Sequence, residues 1–143
     1  MITIFRVEKK YKDVWPPMDA LYVERRWTKR GFWIIYCSAS VSLAKLETLA
    51  NSKSFPKNRV LLEISIDSKA PIQEISSDDL PKNWMDTPYP KELQEIAEKA
   101  LIHGKYVGLK VPSRQSPREY NYLLYPQHPK FSSYVKVLDV VDL

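Results

Sequence analysis

The sequence predicts an α+β fold, a mixed and largely antiparallel sheet accompanied by short helices. Five segments rich in β-branched and aromatic residues have strand length, whereas only two segments show the apolar spacing of a clear helix. Strands and helices do not alternate strictly, which argues against a parallel βαβ architecture. Because 143 residues suit one domain, we expect residues 1–143 to form a single domain.

The first third of the chain supplies two strands and a helix. Residues 2–7 (ITIFRV) and 33–38 (WIIYCS) have strand composition, and an irregular segment at 12–31 separates them. A helix is predicted at 41–51, directly after Ser40, whose hydroxyl suits the N-cap position.

The middle of the chain holds a strong strand and the clearest helix. Residues 59–66 (RVLLEISI) form the strand. Residues 68–90 contain several prolines and are predicted to be a long loop with one helical turn near 77–80. The helix at 90–103 opens with proline and acidic residues, ends with basic ones and stops at Gly104.

The last third closes the sheet. Residues 106–112 (YVGLKVP) and 134–140 (YVKVLDV) are predicted strands. Between them we expect a short helix at 117–124 and a turn at YPQHPKF, which two prolines delimit.

Composition excludes several kinds of protein. No internal disulfide is possible with one cysteine, Cys37, and two distant histidines, His103 and His128, do not make a zinc site of usual spacing. Cys37 could be a thiol nucleophile paired with either histidine, although a cysteine in WIIYCS is more typical of a core. The GxxxxGK[ST], GxGxxG and GxSxG motifs are absent.

The charge leaves the type of partner open. A net charge of +5 fits a nucleic acid, an anionic nucleotide or an acidic protein, but the basic residues are dispersed, as on an ordinary solvated surface. No signal peptide or membrane-spanning stretch is apparent, so we expect a cytoplasmic protein.

Three positions are candidate site residues on their chemistry. Glu47 shares an inner helical stripe with Leu43, Leu46 and Ala50, where a carboxylate loses hydration unless it is paired; alternatively it lies at the edge of the stripe and reaches water. The guanidinium of Arg26, beside an aromatic residue, could bind phosphate, or it could lie in a solvated loop. Ser113 follows a strand at a proline and could be functional or a simple cap.

Short motifs spread over almost the whole chain carry the most specific signal. They are, in order, Arg26-Trp27, Gly31, Tyr36-Cys37-Ser38, Leu43-Ala44-Lys45-Leu46-Glu47, Leu80-Pro81 with Trp84, Val111-Pro112-Ser113, Asn121 and His128-Pro129. In this order the sequence resembles the RES-domain toxins of bacterial toxin–antitoxin pairs, in which Arg6 also matches an arginine of the opening strand. Three places depart from the family pattern: Glu24-Arg25 replace Gly-Gly, Thr28 replaces Asn, and Tyr125-Pro126 replace Asn-Pro.

The resemblance implies a fold similar to ADP-ribosyltransferases and NAD as the substrate, with no metal. It implies that Arg26 binds phosphate or ribose, that Tyr36 packs against nicotinamide and that Ser113 orients Glu47 or the ribose. Glu47 would stabilise the cationic ribose as nicotinamide leaves. The remaining expected cofactor-binding residues are Gly31, Ser38 and Asn121.

The acceptor and the partner follow from the resemblance only in part. Water or phosphate as the acceptor would give an enzyme that depletes NAD, whereas a protein side chain would give an ADP-ribosyltransferase. The family implies a hetero-oligomer with an Xre-like antitoxin and no direct binding of nucleic acid. A non-catalytic module that binds a partner or nucleic acid is a more distant alternative.

Overall fold

The computed structural model describes residues 1–10 and 15–143; residues 12–14 of the predicted irregular segment lie outside this part. The strands are β1 (Ile2–Lys9), β2 (Ile35–Ser38), β3 (Arg59–Ile66), β4 (Ile72–Glu74), β5 (Gly108–Pro112), β6 (Tyr120–Leu124) and β7 (Val135–Asp142). The helices are α1 (Val41–Ala50), α2 (Glu92–Leu101) and α3 (Phe131–Tyr134), with 3-10 helices at Met18–Tyr22 and Ser77–Asp79.

The strands of the described residues form one seven-stranded sheet in the order β4-β5-β6-β2-β1-β3-β7. All neighbours are antiparallel except the outermost pair, β4 and β5, which are parallel. The predicted α+β class with a mixed, largely antiparallel sheet is therefore confirmed. None of the helices in residues 1–10 and 15–143 has the length and apolar character that a membrane crossing requires.

The centre of the sheet is held together weakly. β1 pairs with β3 along its whole length, but its pairing with β2 is confined to Phe5 opposite Ser38. Beyond that pair β1 and β2 separate, and the Arg6 guanidinium spans the gap by donating from Nη1 to the Tyr36 carbonyl at 2.7 Å. The sheet is thus open between its two central strands.

The core packs on both faces of the sheet. On one face, Leu93, Ala97 and Leu101 of α2 contact a cluster that includes Trp27 and Trp84. The spacing of these three residues is the i, i+4, i+8 pattern of a helix that buries one stripe. The helix predicted at 90–103 is therefore confirmed, and it is shorter than predicted by two residues at each end.

Helix α1 has the predicted cap but not the predicted buried stripe. The Ser40 hydroxyl accepts a hydrogen bond from the Leu43 amide at 3.1 Å, so the N-cap is confirmed. Leu43 and Ala44 are buried, whereas Leu46 is 40% exposed and Ala50 is exposed. Only the first turn of α1 is covered, so the expectation that Leu46 and Ala50 share a buried face with Leu43 is wrong.

The short helix predicted at 117–124 is also wrong, because residues Tyr120–Leu124 form β6. This strand lies between β2 and β5, with Leu123 in the core of one face and Tyr122 and Leu124 in the core of the other. A strand buried on both faces loses the alternation of polar and apolar residues that marks a strand in sequence. The 3-10 turn expected near 77–80 is present at Ser77–Asp79.

The close packing of β5 against β6 gives a prediction about stability. A Cβ added at Gly108 would lie 2.8 Å from the Leu123 carbonyl oxygen and 3.2 Å from Leu124 Cδ2. Because the nearest atom is backbone, Gly108→Ala should lower the free energy of unfolding by about 1–3 kcal/mol in urea titrations. Val140→Ala on the exposed edge strand is the control and should change it by less than about 0.5 kcal/mol. Equal stability of the two variants would contradict the packing described here.

Candidate active site

A cavity of about 720 Å³ occupies the gap between β1 and β2. Its volume lies within the roughly 300–1,000 Å³ typical of small-molecule sites. Its walls come from β1, β2, α1, the 3-10 helix at Met18–Tyr22, the start of β3, the turn at residues 23–28 and two loop segments, at 87–89 and 114–115. The charged residues of this lining are Arg6, Glu8, Lys9, Asp19, Glu24, Arg25, Arg26, Glu47, Arg59 and Arg114.

One oxygen of the Glu47 carboxylate accepts hydrogen bonds from two neutral donors. Its Oε2 accepts hydrogen bonds from Ser113 Oγ at 2.8 Å and from Asn121 Nδ2 at 2.6 Å. Among the described residues, none donates to Oε1. Hydrogen bonds to an ionised acceptor are short and strong, so the carboxylate is fixed while one oxygen remains available. Glu47 lies at the edge of the buried face of α1, but its carboxylate lines the cavity.

Ser113 is a fully buried donor whose direction is fixed. Its Oγ accepts hydrogen bonds from the amides of Gln115 and Ser116, both at 3.1 Å. A hydroxyl has two lone pairs and one proton, so with both lone pairs in use the proton is directed to Glu47. Ser113 Oγ therefore bonds both the turn that follows it and the Glu47 carboxylate.

Tyr36, Ser38 and Asn121 lie on the same face of the sheet as Glu47. Ser38 is opposite Asn121 in the β2–β6 register, and opposite residues of an antiparallel pair share a face. Asn121 Nδ2 also donates to the Tyr36 hydroxyl at 3.1 Å. The pKa of Tyr36 is raised, first by burial and then by the nearby Glu47 carboxylate, so its phenol stays protonated.

Arg26 projects from a tight turn at residues 25–28. The amide of Arg25 donates to the Thr28 carbonyl, the Thr28 amide donates to the Arg25 carbonyl, and Gln94 Nε2 donates to both carbonyls. Trp27 is buried in the core, which directs Arg26 outward to the cavity. This anchoring fixes the position of Arg26 at the cavity wall.

The Arg26 guanidinium binds the segment 84–89 as well as lining the cavity. Its Nη1 donates to the carbonyls of Trp84 at 2.7 Å and Asp86 at 2.9 Å, and it lies over the Tyr89 ring at 5.7 Å. The pKa of Arg26 is lowered, first by burial and then by Arg114. A guanidinium stays charged despite such a shift, so two neighbouring cations line this part of the cavity.

Arg114 was not among the residues predicted from sequence. Its Nε donates to the Met85 carbonyl at 3.1 Å and its Nη2 to Thr87 Oγ1 at 3.4 Å, so it supports the same segment as Arg26. Its position directly after Ser113 was the available signal. Tyr89 and Glu8 were also missed; Glu8 shares a strand face with Arg6 by its i, i+2 spacing.

Two residues discussed from the sequence do not face the cavity. Gly31 (φ +90°) lies in the turn before β2, where its amide donates to the Leu21 carbonyl, so the structure does not bring it to the other predicted residues. Cys37 alternates with Tyr36 and Ser38 and lies in the core of the opposite face, only 1% exposed. Burial raises the pKa of its thiol to about 12, which fits a core residue and not a nucleophile.

The arrangement can stabilise positive charge at one point and bind negative charge beside it. Glu47 has no ion-pair partner among the described residues, so its charge is not neutralised, and two arginines lie nearby. A cleft of this kind suits a ligand that carries both an anionic group and a cationic centre.

Comparison with known proteins gives the family. The model of the RES domain matches residues 3–143, and the chain belongs to the RES-domain family. The "Toxin Res" of Yersinia enterocolitica is 36% identical over 123 residues, which are 85% of this chain and 80% of that protein. The "Toxin Res" of Photorhabdus laumondii is 30% identical over 146 residues, 99% and 92% of the two chains.

Two further relatives extend the comparison. The "Prs ADP-ribosylating toxin" of a Sphingobium species is 32% identical over 108 residues, 73% of this chain and 67% of that protein. A chain in the crystal structure of the M. tuberculosis MbcT–MbcA toxin–antitoxin complex superposes with a TM-score of 0.80 at 16% identity, covering 99% of this chain and 84% of that one. The family model and the sequence relatives confirm the family recognised from the sequence motifs, and the M. tuberculosis chain shows the same fold.

The Arg6–Glu8 pair at the opening of the sheet gives a second stability prediction. Arg6 Nε donates to Glu8 Oε2 at 3.0 Å, and both side chains are largely buried. Arg6→Met leaves the Glu8 carboxylate without its cation, so unfolding free energy should fall by about 3 kcal/mol in urea titrations. Arg6→Met combined with Glu8→Leu should recover the part of this loss that comes from the unpaired carboxylate, because the Tyr36 carbonyl still lacks its donor. Lys10→Met, which removes an exposed ion pair to Asp142, is the control and should cost under about 1 kcal/mol. If the free energy of unfolding fell no more in Arg6→Met than in Lys10→Met, the Arg6–Glu8 pair would not stabilise the fold.

Proposed function

We propose that this protein is the toxin of a toxin–antitoxin pair and that it cleaves the nicotinamide–ribose bond of NAD. The observation that carries the proposal is the Glu47 carboxylate, which is held by Ser113 and Asn121 and unpaired with any cation of the described residues. The names of the relatives support the toxin function, and one of them is named an ADP-ribosylating toxin. ADP-ribosylation begins with cleavage of this bond.

The chemistry of NAD suits this carboxylate. When the bond between C1′ and the pyridinium nitrogen breaks, its electron pair passes to that nitrogen and neutral nicotinamide leaves without a proton. The ribose keeps the positive charge, shared between C1′ and the ring oxygen. Glu47 Oε1 would lie against this cation, and a carboxylate fixed in a partly dehydrated cleft stabilises it more than water does. The acceptor then bonds to C1′, and for water the extra proton passes to solvent.

The arginines suit the diphosphate of NAD. Arg26 uses only Nη1 to hold the segment 84–89, and Arg114 uses Nε and Nη2. The remaining N–H groups of both guanidiniums have no acceptor among the described residues, so they can bind phosphate oxygens without releasing that segment. Charge-assisted bonds of this kind are strong and directional. Tyr36 offers its ring to the nicotinamide, as expected from the motif.

We propose water or phosphate as the acceptor, which makes the protein an NAD-depleting enzyme. Transfer of ADP-ribose to a protein is the second candidate, and the relative named an ADP-ribosylating toxin favours it. An Xre-like antitoxin is the proposed partner. The net charge of +5 suits an acidic contact surface on that partner.

Replacement of the carboxylate tests the reaction. Glu47→Gln keeps the shape of the side chain and removes its charge, so nicotinamide release from NAD should fall by at least about 100-fold. Nicotinamide would be measured by mass spectrometry with water alone, with phosphate, and with cell-lysate proteins as acceptors. Glu92→Gln, on the exposed first turn of α2, is the matched control and should leave the rate unchanged.

Each result of that experiment has a meaning. Free ADP-ribose as the product would identify water as the acceptor, and the 1-phosphate of ADP-ribose would identify phosphate. Proteins that carry ADP-ribose would identify a protein acceptor. An unaltered rate in Glu47→Gln would reject the assignment of Glu47. No nicotinamide release by the native protein with any acceptor would reject NAD cleavage.

Arg26 should act mainly in binding. Arg26→Lys retains the charge but loses the planar fork, so NAD affinity should fall by about tenfold or more, seen as a raised KM with a smaller change in kcat. Arg118→Lys, at an exposed position, serves as the control and should behave like the native protein. A change confined to kcat would instead place Arg26 at the reacting bond.

A further inference from the structure

Both polar atoms of the Asn121 side chain form hydrogen bonds within the site. Asn121 is fully buried as the second residue of β6, and its amide makes three hydrogen bonds to other side chains. Nδ2 donates to Glu47 Oε2 at 2.6 Å and to the Tyr36 hydroxyl at 3.1 Å, while Oδ1 accepts from Ser38 Oγ at 2.7 Å. Both amide protons are therefore committed to groups of the candidate active site.

The orientation of this amide is determined by its partners. If the amide were rotated by half a turn, Oδ1 would face the Glu47 carboxylate and two acceptors would oppose each other. The Ser38 hydroxyl also favours the observed orientation. Ser38 lies opposite Asn121 on the neighbouring strand β2 and donates a hydrogen bond to Oδ1. Buried amides with every proton bonded define a single geometry.

We propose that Asn121, oriented by Ser38, is a positioning residue that sets the carboxylate of Glu47 and the hydroxyl of Tyr36 for the reaction. The sequence motif implied a cofactor-binding role for Asn121 and Ser38. The buried position of Asn121 and its two committed protons instead place it behind the carboxylate. Because Asn121 donates to the Tyr36 oxygen, the phenolic proton is free to point away from Asn121.

The inference about catalysis rests on the proposed function, but the hydrogen-bond network does not. Side-chain amide protons bonded in a buried site give resolved signals in ¹H–¹⁵N spectra and exchange slowly with solvent. The Asn121 side-chain pair, assigned as the signals lost in Asn121→Asp, should be protected in the native protein. It should move in Glu47→Gln and in Ser38→Ala. An Asn121 pair that exchanges freely and responds to neither variant would overturn the inference whether or not NAD is cleaved.

The kinetic test uses Asn121→Asp, which is isosteric but removes both donors. Its kcat for nicotinamide release should fall by roughly 10- to 100-fold, as for other residues that orient a catalytic group, with KM nearly unchanged. Its activity should recover as the pH falls, because the introduced carboxyl then carries a proton that it can donate to Glu47. Ser38→Ala should reduce kcat less, since Glu47 and Tyr36 still hold the amide.

The controls separate this role from a merely structural one. Asn83→Asp makes the same chemical change at an exposed position and should leave kcat, KM and the pH profile unaltered. Circular dichroism would verify that Asn121→Asp is folded, and Ser38→Ala gives the answer if it is not. A raised KM at constant kcat would overturn the inference in favour of direct contact with NAD, as would native kinetics in both variants.

Discussion

The opening between β1 and β2 is the constraint on which the site depends. An antiparallel sheet normally pairs neighbouring strands along their length, yet these two meet at Phe5 and Ser38 alone. The separation leaves backbone groups without strand partners, and the Arg6 guanidinium supplies a donor to one of them, the Tyr36 carbonyl. Glu8, within the same strand, balances the charge of Arg6. The Arg6 guanidinium thus replaces one missing ladder bond, and the space between the strands becomes the cavity.

The cleft keeps opposite charges close without letting them neutralise each other. Glu47 is hydrogen-bonded by a hydroxyl and an amide, which stabilise its charge but carry none. Arg26 and Arg114 donate to the segment 84–89, largely to carbonyls, and not to the carboxylate. A direct salt bridge would cancel the field that each charge exerts on a ligand. The separate sets of neutral partners leave both charges available to a ligand that carries a cationic centre and an anionic group.

The sequence could predict local features better than long-range ones. The Ser40 cap and the helical conformation of α2 follow from neighbouring residues, and both were predicted correctly. β6 was misassigned because burial on both faces removes its alternation. In the site, Glu47 lies 66 residues from Ser113 and 74 residues from Asn121 along the chain. Sequence spacing alone cannot predict that these residues are neighbours, so their common site could be predicted only from the ordered family motifs. The positioning function proposed for Asn121 could be inferred only from its hydrogen bonds in the structure.

Two departures from the family pattern, at Arg25 and Thr28, fall in a turn whose hydrogen bonds come from its backbone. Thr28 stands in the place of the usual asparagine, but the turn is closed by its amide and carbonyl, which any residue provides. Gln94 binds that carbonyl from α2, and the Thr28 hydroxyl has no partner among the described residues. Arg25 likewise closes the turn through its backbone. The replaced residues therefore leave the position of Arg26 intact, because it depends on the reciprocal backbone bonds and on the burial of Trp27.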